Sequence, residues 1–143
     1  MIRRMQPEDL EQVMILEQQI FSRPWSEQSM GSALQQPGNI YLVDEMDDEI
    51  RGYLGIWCMA EDGDLCNLAV AEHARRSGVA AGLLDEGMVY CRKQGIQRIL
   101  LEVRESNMPA RTLYQRKGFV SLGVRKQYYA EPQEDAIIME CPL

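Results

Sequence analysis

The feature that most constrains this chain is a strand, a glycine-bearing turn, a long helix and a second strand that follow one another without a break. Residues 65–70 are rich in apolar side chains and are typical of a strand. From Gly78 onward, apolar residues recur at helical spacing until Gly95 provides a C-terminal cap. Residues 98–103 are apolar on both faces, which is typical of the middle of a covered sheet. A chain with this unit packs helices on a sheet, in the α/β or α+β class.

The remaining sequence alternates strand and helix patterns around this unit. A proline-opened, acidic start at residues 7–9 and an N-cap at Ser26 predict two helices near the N-terminus. The acidic run 44–49 predicts the turn of a hairpin, and residues 127–129 are predicted to separate the two closing strands. The predicted order is β-α-α-β-β-β-α-β-α-β-β without a repeat or linker, which indicates a single domain over residues 1–143. The predicted strands cover residues 2–5, 40–43, 52–59, 65–70, 98–103, 119–124 and 136–139, and the last helix covers 107–117.

The composition argues against several classes of protein. The 143 residues carry 15 Lys and Arg against 22 Asp and Glu, a formal net charge of −7. Proteins that bind nucleic acid by neutralising phosphates carry a basic surface, so we expect no general DNA- or RNA-binding role. No apolar stretch approaches the roughly 18 residues of a membrane helix, and the first residues lack the apolar core of a signal peptide. We therefore expect a cytoplasmic protein.

The cysteines and the single histidine do not form a metal or redox motif. Cys58, Cys66, Cys91 and Cys141 are scattered without CxxC spacing, so we interpret them as reduced packing residues. His73 is the only histidine and lies in a predicted loop, where we expect it at the surface. We therefore expect no metal centre.

Three local patterns could carry chemistry, and the first is the turn before the long helix, Arg75-Arg76-Ser77-Gly78-Val79-Ala80. The free N–H groups of a helix N-terminus, the helix dipole and two arginines together form a receptor for phosphate oxygens. Gly78 has no side chain and Ala80 has only a methyl group, so the backbone can come close to a ligand. The turn matches neither the Walker A nor the Rossmann glycine motif. The alternative is an ordinary helix start with two solvated arginines, and these six residues alone do not decide between the two.

The second pattern is a carboxylate, Glu102, among the apolar residues of the predicted strand 98–103. Burial penalises the charged form of a carboxylate, and a partly buried carboxylate is a common general base. Strand alternation places Glu102 on the same face as Leu100 and Arg104. The alternative is a structural ion pair with Arg104, two residues along the strand.

The third pattern is Tyr114, on the short helix predicted directly after the Glu102 strand. A phenol with a pKa near 10 is a suitable acid for a leaving thiolate, because the conjugate thiol has a similar proton affinity. The alternative is a core tyrosine, which is the more common role in short helices.

In chain order, the phosphate-binding turn, the carboxylate and the tyrosine lie on consecutive strand and helix units. In this arrangement the sequence resembles the GNAT acetyltransferases along essentially its whole length, and the turn matches their signature [QR]xxGx[GA]. Within that family it is similar to the bacterial ribosomal-protein alanine N-acetyltransferases of the RimI type. Ser77 stands where a basic residue is common, Ala80 replaces a second glycine, and Leu68 replaces an isoleucine. The similar segments are 21–26, 67–70, 101–107, 113–114 with 118–119, 128–129 and 134–139.

The resemblance implies a mixed, mostly antiparallel sheet of about six to seven strands, splayed at its centre and flanked by about four helices. It also implies direct transfer of an acetyl group from acetyl-CoA to an amine, with Glu102 as the base and Tyr114 as the acid. The N–H of Val70, on a bulged strand at residues 68–70, would stabilise the thioester oxygen, and Asn107 would bind the pantetheine arm. The residues assigned to acetyl-CoA are Leu68, Ala69, Val70, Arg75, Arg76, Ser77, Gly78, Val79, Ala80, Ala81 and Asn107.

The resemblance implies an acceptor as well, the alanine N-terminus of a small-subunit ribosomal protein. The candidate walls of the acceptor groove are Pro24, Trp25, Tyr128 and Tyr129. We expect no direct nucleic-acid or membrane partner, and a monomer or weak dimer. Two alternatives stay open: a broader peptide, lysine or small-amine range, and a regulatory module that binds acyl-CoA without catalysis.

The charge is divided unevenly along the chain. Residues 1–72 carry 4 Lys and Arg against 14 Asp and Glu, whereas residues 73–143 carry 11 against 8. The basic half contains the phosphate-binding turn. For a two-substrate enzyme, this division predicts opposite charges at the entrances for a polyanionic donor and a cationic acceptor.

Overall fold

A computed structural model describes all 143 residues. The helices are α1 (Leu10–Ile20), α2 (Glu27–Gln35), α3 (Val79–Lys93) and α4 (Met108–Arg116), with short 3₁₀ helices at Pro7–Asp9 and Glu72–Ala74. The strands are β1 (Ile2–Arg4), β2 (Ile40–Met46), β3 (Glu49–Met59), β4 (Asp62–Val70), β5 (Arg98–Arg104), β6 (Val120–Ala130) and β7 (Gln133–Pro142). They form one seven-stranded sheet in the order β1-β2-β3-β4-β5-β7-β6. All neighbours are antiparallel except β4 and β5, so the sheet is mixed and mostly antiparallel, as the resemblance implied.

The order of elements is confirmed, but two predicted loops are wrong. β2 extends to Met46 and β3 begins at Glu49, so the acidic run 44–49 is mostly strand. The turn is only Asp47 and Asp48, with φ angles of 53° and 63°, the left-handed pair that a two-residue hairpin turn requires. Residues 127–129 lie inside β6 at a register irregularity, and hence do not separate the last two strands.

Helices cover both faces of the sheet, and each face has its own apolar core. A core of 19 buried residues, with Leu83 and Ile99 among them, lies on the face covered by α3 and α4. A second core of 12 buried residues, with Val13 and Tyr53 among them, lies under α1 and α2. Burial alternates along β5, and the residues on either side of Glu102 belong to the first core. Glu102 therefore points to the opposite face of the sheet from α3 and α4.

β4 and β5 pair over a short stretch and then separate. The paired residues are Asp62 with Arg98, Gly63 with Ile99 and Asp64 with Leu100. Beyond them β4 stays paired only with β3, and β5 only with β7. We call the opening between residues 65–70 and 101–104 the central gap. It is the splayed centre of the sheet that the resemblance implied.

The bulge in β4 lies upstream of its predicted position. Asn67 pairs with Gly55 and Leu65 pairs with Ile56, so Cys66 is an extra residue on β4. The stretch 68–70, which was predicted to bulge, pairs regularly with β3. The prediction was wrong because a bulge depends on the partner strand, and the alternation along β4 alone does not show it.

α3 begins and ends at glycines in the left-handed conformation. Gly78 has a φ angle of 85° and Gly95 a φ angle of 83°. At the C-terminal end, the N–H of Ile96 bonds to the carbonyl of Cys91 at 3.0 Å, which closes the helix as predicted. None of the helices is long and apolar enough to cross a membrane.

The structure tests the expectations for histidine and cysteine. His73 is exposed and pairs with Glu49 at 2.5 Å, which confirms its surface position. Cys91 and Cys141 are buried packing residues, as predicted, and all four cysteines are free. Cys66 is exposed, so its interpretation as a packing residue is wrong: as the bulged residue, it is displaced from the regular alternation.

Candidate active site

The backbone of β4 turns unpaired N–H groups toward the central gap. The N–H of Ala71, directly after β4, donates to the carbonyl of Arg51 at 2.7 Å, so this residue bonds to the β3 side. N–H groups alternate along a strand, so those of Leu68 and Val70 point away from β3. The Arg75 Nε–H donates to the Val70 carbonyl at 3.3 Å, on the same side. A ligand in the gap therefore has access to the Val70 N–H.

The turn before α3 has the backbone shape of an anion site. Arg76 and Gly78 both have positive φ angles, 64° and 85°. Left-handed residues in such turns direct neighbouring N–H groups toward one point. The first hydrogen bond within α3 runs from Gly82 N–H to the Gly78 carbonyl at 2.9 Å, and no side chain caps the helix start. The N–H groups that remain open are those of Val79, Ala80 and Ala81.

The side chains of this turn leave its positive charge available. Arg75 and Arg76 are exposed, and neither forms an ion pair with a carboxylate. The Ser77 hydroxyl donates to the Ala74 carbonyl and is thereby used within the turn. A Cβ on Gly78 would meet no atom within 4 Å, so the φ angle, and not crowding within the protein, explains this glycine.

Glu102 lies at the edge of the central gap on the face away from α3. Its side chain is 30% exposed, and its nearest cation is Arg125, whose Nη1 lies 3.8 Å from Oε1. The alternative of an ion pair with Arg104 is wrong, because Arg104 contacts Glu134 at 3.3 Å instead. The carboxylate is therefore accessible and weakly paired.

Four titratable groups lie within electrostatic reach of Glu102. Its carboxylate raises the pKa of the Tyr128 phenol, with burial as the second cause. Burial and then Glu102 raise the pKa of Tyr129 to about 12. Partial desolvation by neighbouring protein atoms raises the pKa of Asp64, with Glu102 as the next cause. Cys66 stays in contact with solvent, but partial desolvation and then Asp64 raise its pKa to about 11. The two tyrosine rings meet edge-on with centroids 5.0 Å apart, so this end of the gap is lined by phenols and carboxylates.

Tyr114 lies on α4, on the opposite face of the sheet from Glu102, and interacts electrostatically with Tyr129. Its ring is 8% exposed and packs edge-on against Phe119, with centroids 5.6 Å apart. Burial, and secondarily Tyr129, raise the pKa of Tyr114 to about 12. The Tyr114 hydroxyl forms no hydrogen bond within the protein. Because no buried side-chain oxygen or nitrogen lacks a partner, this hydroxyl oxygen must be in contact with solvent. The Tyr114 ring therefore packs in the core, while its hydroxyl group is accessible to solvent.

Asn107 lies at the start of α4. Its Oδ1 accepts a hydrogen bond from the Ala110 N–H at 3.3 Å and caps the helix. The side chain is exposed, and its amide nitrogen stays free to donate to a ligand.

On the Glu102 face, a buried carboxylate holds the segment between α1 and α2. Glu17, 2% exposed, accepts hydrogen bonds from the Tyr53 phenol and from the Trp25 N–H, the latter at 2.9 Å. The Trp25 ring packs edge-on against Trp57, with centroids 5.7 Å apart. Trp25 is therefore fixed by α1 on one side and by β3 on the other.

The same chain of contacts continues to the bulge in β4. Trp57 Nε1 donates to the Tyr41 hydroxyl at 2.9 Å, and this hydroxyl donates to Asn67 Oδ1 at 3.3 Å. A Cβ on Gly55 would overlap the Tyr41 ring, which explains the glycine there. The sequence does not predict these hydrogen bonds, because Tyr41, Trp57 and Asn67 lie on three different strands that only the fold brings together.

A sheet opened between two parallel strands, with open helix N–H groups on one side and an accessible carboxylate on the other, is a candidate site for group transfer. The family model described as "Acetyltransferase (GNAT) family" matches residues 10–119. The chain belongs to the GNAT family and is an N-acetyltransferase.

Within the family, the chain is similar to enzymes named for one acceptor. It is 32% identical to the [ribosomal protein bS18]-alanine N-acetyltransferase of Haemophilus influenzae, over 94% of this chain and 93% of that one. It is 30% identical to the enzyme of the same name from Escherichia coli K12, over 99% and 97%. The crystal structure of the ribosomal-protein-S18-alanine N-acetyltransferase from Escherichia coli superposes with a TM-score of 0.91 at 29% identity, over 99% of this chain and 92% of that one.

Proposed function

We propose that this chain transfers the acetyl group of acetyl-CoA to the N-terminal α-amine of a ribosomal protein, with the alanine terminus of bS18 as the acceptor. The observation that carries the proposal is the central gap, with open N–H groups on β4 and the Glu102 carboxylate on β5. The names of the relatives support the choice of acceptor. In this proposal a single domain over residues 1–143 binds both substrates, and the protein is a monomer or weak dimer. A ribosomal acceptor would place it in the cytoplasm.

The donor binds on the side of the gap where α3 begins. The open N–H groups after Gly78 and the unpaired guanidinium groups of Arg75 and Arg76 fit a pyrophosphate. The free amide nitrogen of Asn107 donates to the pantetheine arm, which enters between β4 and β5. Residues 68–70 of β4 line this path, and the bond of Arg75 to the Val70 carbonyl connects the two halves of the site.

The chemistry follows from the groups at the gap. An α-amine with a pKa near 8 is mostly protonated at pH 7, and the attacking nitrogen must lose protons to form an amide. Glu102, directly or through a water molecule, accepts one proton from the ammonium group and passes it to solvent, and the free amine then attacks the thioester carbon. As the C–N bond forms, the nitrogen gives its second proton to Glu102, which releases it to solvent after the reaction. The Val70 N–H stabilises the negative charge that develops on the thioester oxygen. The C–S bond then breaks, Tyr114 donates its proton to the sulfur, and solvent returns a proton to Tyr114.

The acceptor enters from the Glu102 face. Aromatic side chains of the α1–α2 segment and of β6 lie on this face, with Trp25 against Trp57 and Tyr128 beside Glu102. The carboxylates of Glu102 and Asp64 give this entrance the negative charge that attracts an ammonium group.

The test is a peptide panel incubated with acetyl-CoA and analysed by mass spectrometry. We expect one added acetyl group on a peptide with the alanine terminus of bS18, and none on the same peptide with a blocked amine. Lysine-containing peptides with blocked termini and small amines test the broader alternative. Acetylation of internal lysine at a rate equal to that of the free terminus would contradict an N-terminal specificity. Tight acetyl-CoA binding without acetylation of any acceptor would instead indicate a regulatory binding module.

A further inference from the structure

Arg104, at the end of β5, connects to the turn between β6 and β7 through both terminal nitrogens of its guanidinium group. Nη1 donates to the Pro132 carbonyl at 2.8 Å and contacts Glu134 Oε1 at 3.3 Å, and Nη2 donates to the Glu131 carbonyl at 3.1 Å. The guanidinium carbon lies 4.3 Å from the centre of the Tyr129 ring. A planar, charged fork with several acceptors and an aromatic face holds its neighbours in one geometry, which a lysine cannot reproduce.

The Glu131 carbonyl also contacts the segment between α1 and α2. The Ser22 hydroxyl donates to this same oxygen at 2.7 Å, and Arg23 contacts the Glu131 carboxylate at 3.3 Å. One carbonyl oxygen therefore accepts hydrogen bonds from β5 and from the α1–α2 segment. These contacts tie together three segments that are far apart in the sequence.

These three segments carry the side chains around the acceptor entrance. β5 carries Glu102 two residues before Arg104, β6 carries Tyr128 and Tyr129 beside it, and the α1–α2 segment carries Trp25. β6 is the edge strand and pairs only with β7, so the Arg104 contacts join the β6–β7 turn to β5 where strand pairing does not. If these contacts were lost, the walls of the entrance would move relative to Glu102 without any change in the donor side.

We propose that Arg104 is a positioning residue for the acceptor: by fixing the β6–β7 turn to β5 and to the α1–α2 segment, it sets the width of the acceptor entrance over Glu102. This inference rests on the proposed function, since it assumes that a peptide terminus enters there. It predicts that Arg104 controls binding of the acceptor and leaves binding of acetyl-CoA unaffected.

Arg98 provides a matched control at the other end of β5. It lies on the same face as Arg104 by strand alternation, and its guanidinium group bonds to Asp62 at 2.8 Å and Glu140 at 3.1 Å. These partners lie where β4 and β5 are still paired, away from the β6–β7 turn. Arg98→Lys therefore removes a comparable charged fork from the same strand without touching the acceptor entrance.

The experiment compares the wild type with Arg104→Lys, Ser22→Ala and Arg98→Lys, in steady-state kinetics and in hydrogen exchange. For Arg104→Lys we expect the KM for the peptide to rise about tenfold, because charge-assisted hydrogen bonds to the turn are lost. The KM for acetyl-CoA should stay within about twofold, and the amides of residues 127–134 should exchange about tenfold faster. Ser22→Ala should act in the same direction with a smaller effect, and Arg98→Lys should match the wild type in both KM values.

Three outcomes would overturn the proposal. The first is an unchanged peptide KM with unchanged exchange in residues 127–134 of Arg104→Lys. The second is an equal rise of both KM values, and the third is the same response in Arg98→Lys, since either would indicate general loss of structure. If the wild type acetylates no peptide at all, the proposed function fails, whereas the exchange measurement, which needs no substrate, still decides whether Arg104 holds the turn.

Discussion

On the side of the central gap where α3 begins, the groups that we propose to contact the donor are mainly backbone N–H groups, with the side chains of Arg75, Arg76 and Asn107 beside them. On the Glu102 side they are side chains. The α3 side uses the open N–H groups after Gly78 and that of Val70. The Glu102 side uses carboxylates, phenols and indoles held by contacts between distant segments. Backbone donors survive most substitutions, so side-chain changes should have large effects on the Glu102 side and small effects on the α3 side.

The largest effect should come from Glu102→Gln. Glutamine has nearly the same shape but cannot accept a proton from the attacking nitrogen, so kcat should fall by about 10²–10⁴. Binding of acetyl-CoA, measured by calorimetry, should stay within about twofold, because Glu102 lies away from the open N–H groups. Glu105→Gln is the control, since Glu105 is exposed in the turn after β5. Wild-type turnover in Glu102→Gln at every pH would remove this residue from the mechanism.

Tyr114→Phe should have the next largest effect, with kcat lower by about 10², the lower end of the range for acid catalysis. A phenol with a pKa of about 12 holds its proton more tightly than a free phenol and is a weaker acid catalyst, so its loss costs less than the loss of the base. The packing against Phe119 stays intact, and the melting temperature should therefore change little. Full activity in Tyr114→Phe would return this residue to a purely structural role.

The same substitution predicts a change in alkaline stability. The pKa of Tyr114 rises from about 10 in the unfolded chain to about 12 in the folded one, so the folded state holds its proton more tightly. This contribution to stability is fully present below pH 10 and is lost as the pH rises through 12. Unfolding by urea from pH 9 to 12 should show a smaller loss of stability for Tyr114→Phe than for the wild type. Parallel curves for the two proteins would contradict the raised pKa.

Glu17→Gln tests whether the Glu102 side depends on buried side-chain contacts. The glutamine amide would bring a donor toward the donors Tyr53 and Trp25, so the free energy of unfolding should fall by about 1–3 kcal/mol. The peptide KM should rise with it, because Trp25 loses its support. Glu11→Gln, exposed on the same helix, should leave both quantities unchanged. A stable variant with a normal peptide KM would show that this side does not need the buried carboxylate.

The difference between the α3 side and the Glu102 side also explains which features the sequence could predict. The turn before α3 is local: Gly78, the helix periodicity and two arginines lie within a few residues, so its place and its backbone shape follow from sequence. Local patterns made Glu102 and Tyr114 candidates, each with a structural alternative, and only the resemblance to the GNAT family implied their roles as base and acid. The remaining contacts of the Glu102 side depend on pairs far apart in the chain, such as Arg104 with the Glu131 carbonyl.

The errors at the gap have the same origin. The bulge at Cys66 arises from pairing with β3 and from the Tyr41 ring over Gly55, neither of which a single strand reveals. The pairing of Glu102 with Arg104 was a reasonable local alternative. It fails because Glu134 and the β6–β7 turn, about 30 residues further along, take up the arginine.

The smallest effects should separate backbone shape from ligand contact on the α3 side. Gly78 and Gly95 have nearly equal φ angles, 85° and 83°, and a Cβ on either would meet no protein atom within 4 Å. Substitution by alanine should therefore destabilise the fold by about 1 kcal/mol in both variants, from left-handed strain alone. Only Gly78 lies beside the open N–H groups, so only Gly78→Ala should raise the KM for acetyl-CoA, by several-fold. If Gly78→Ala and Gly95→Ala lose equal stability and have equal KM values for acetyl-CoA, the turn does not approach the donor. The proposed role of the backbone N–H groups on the α3 side would then be wrong.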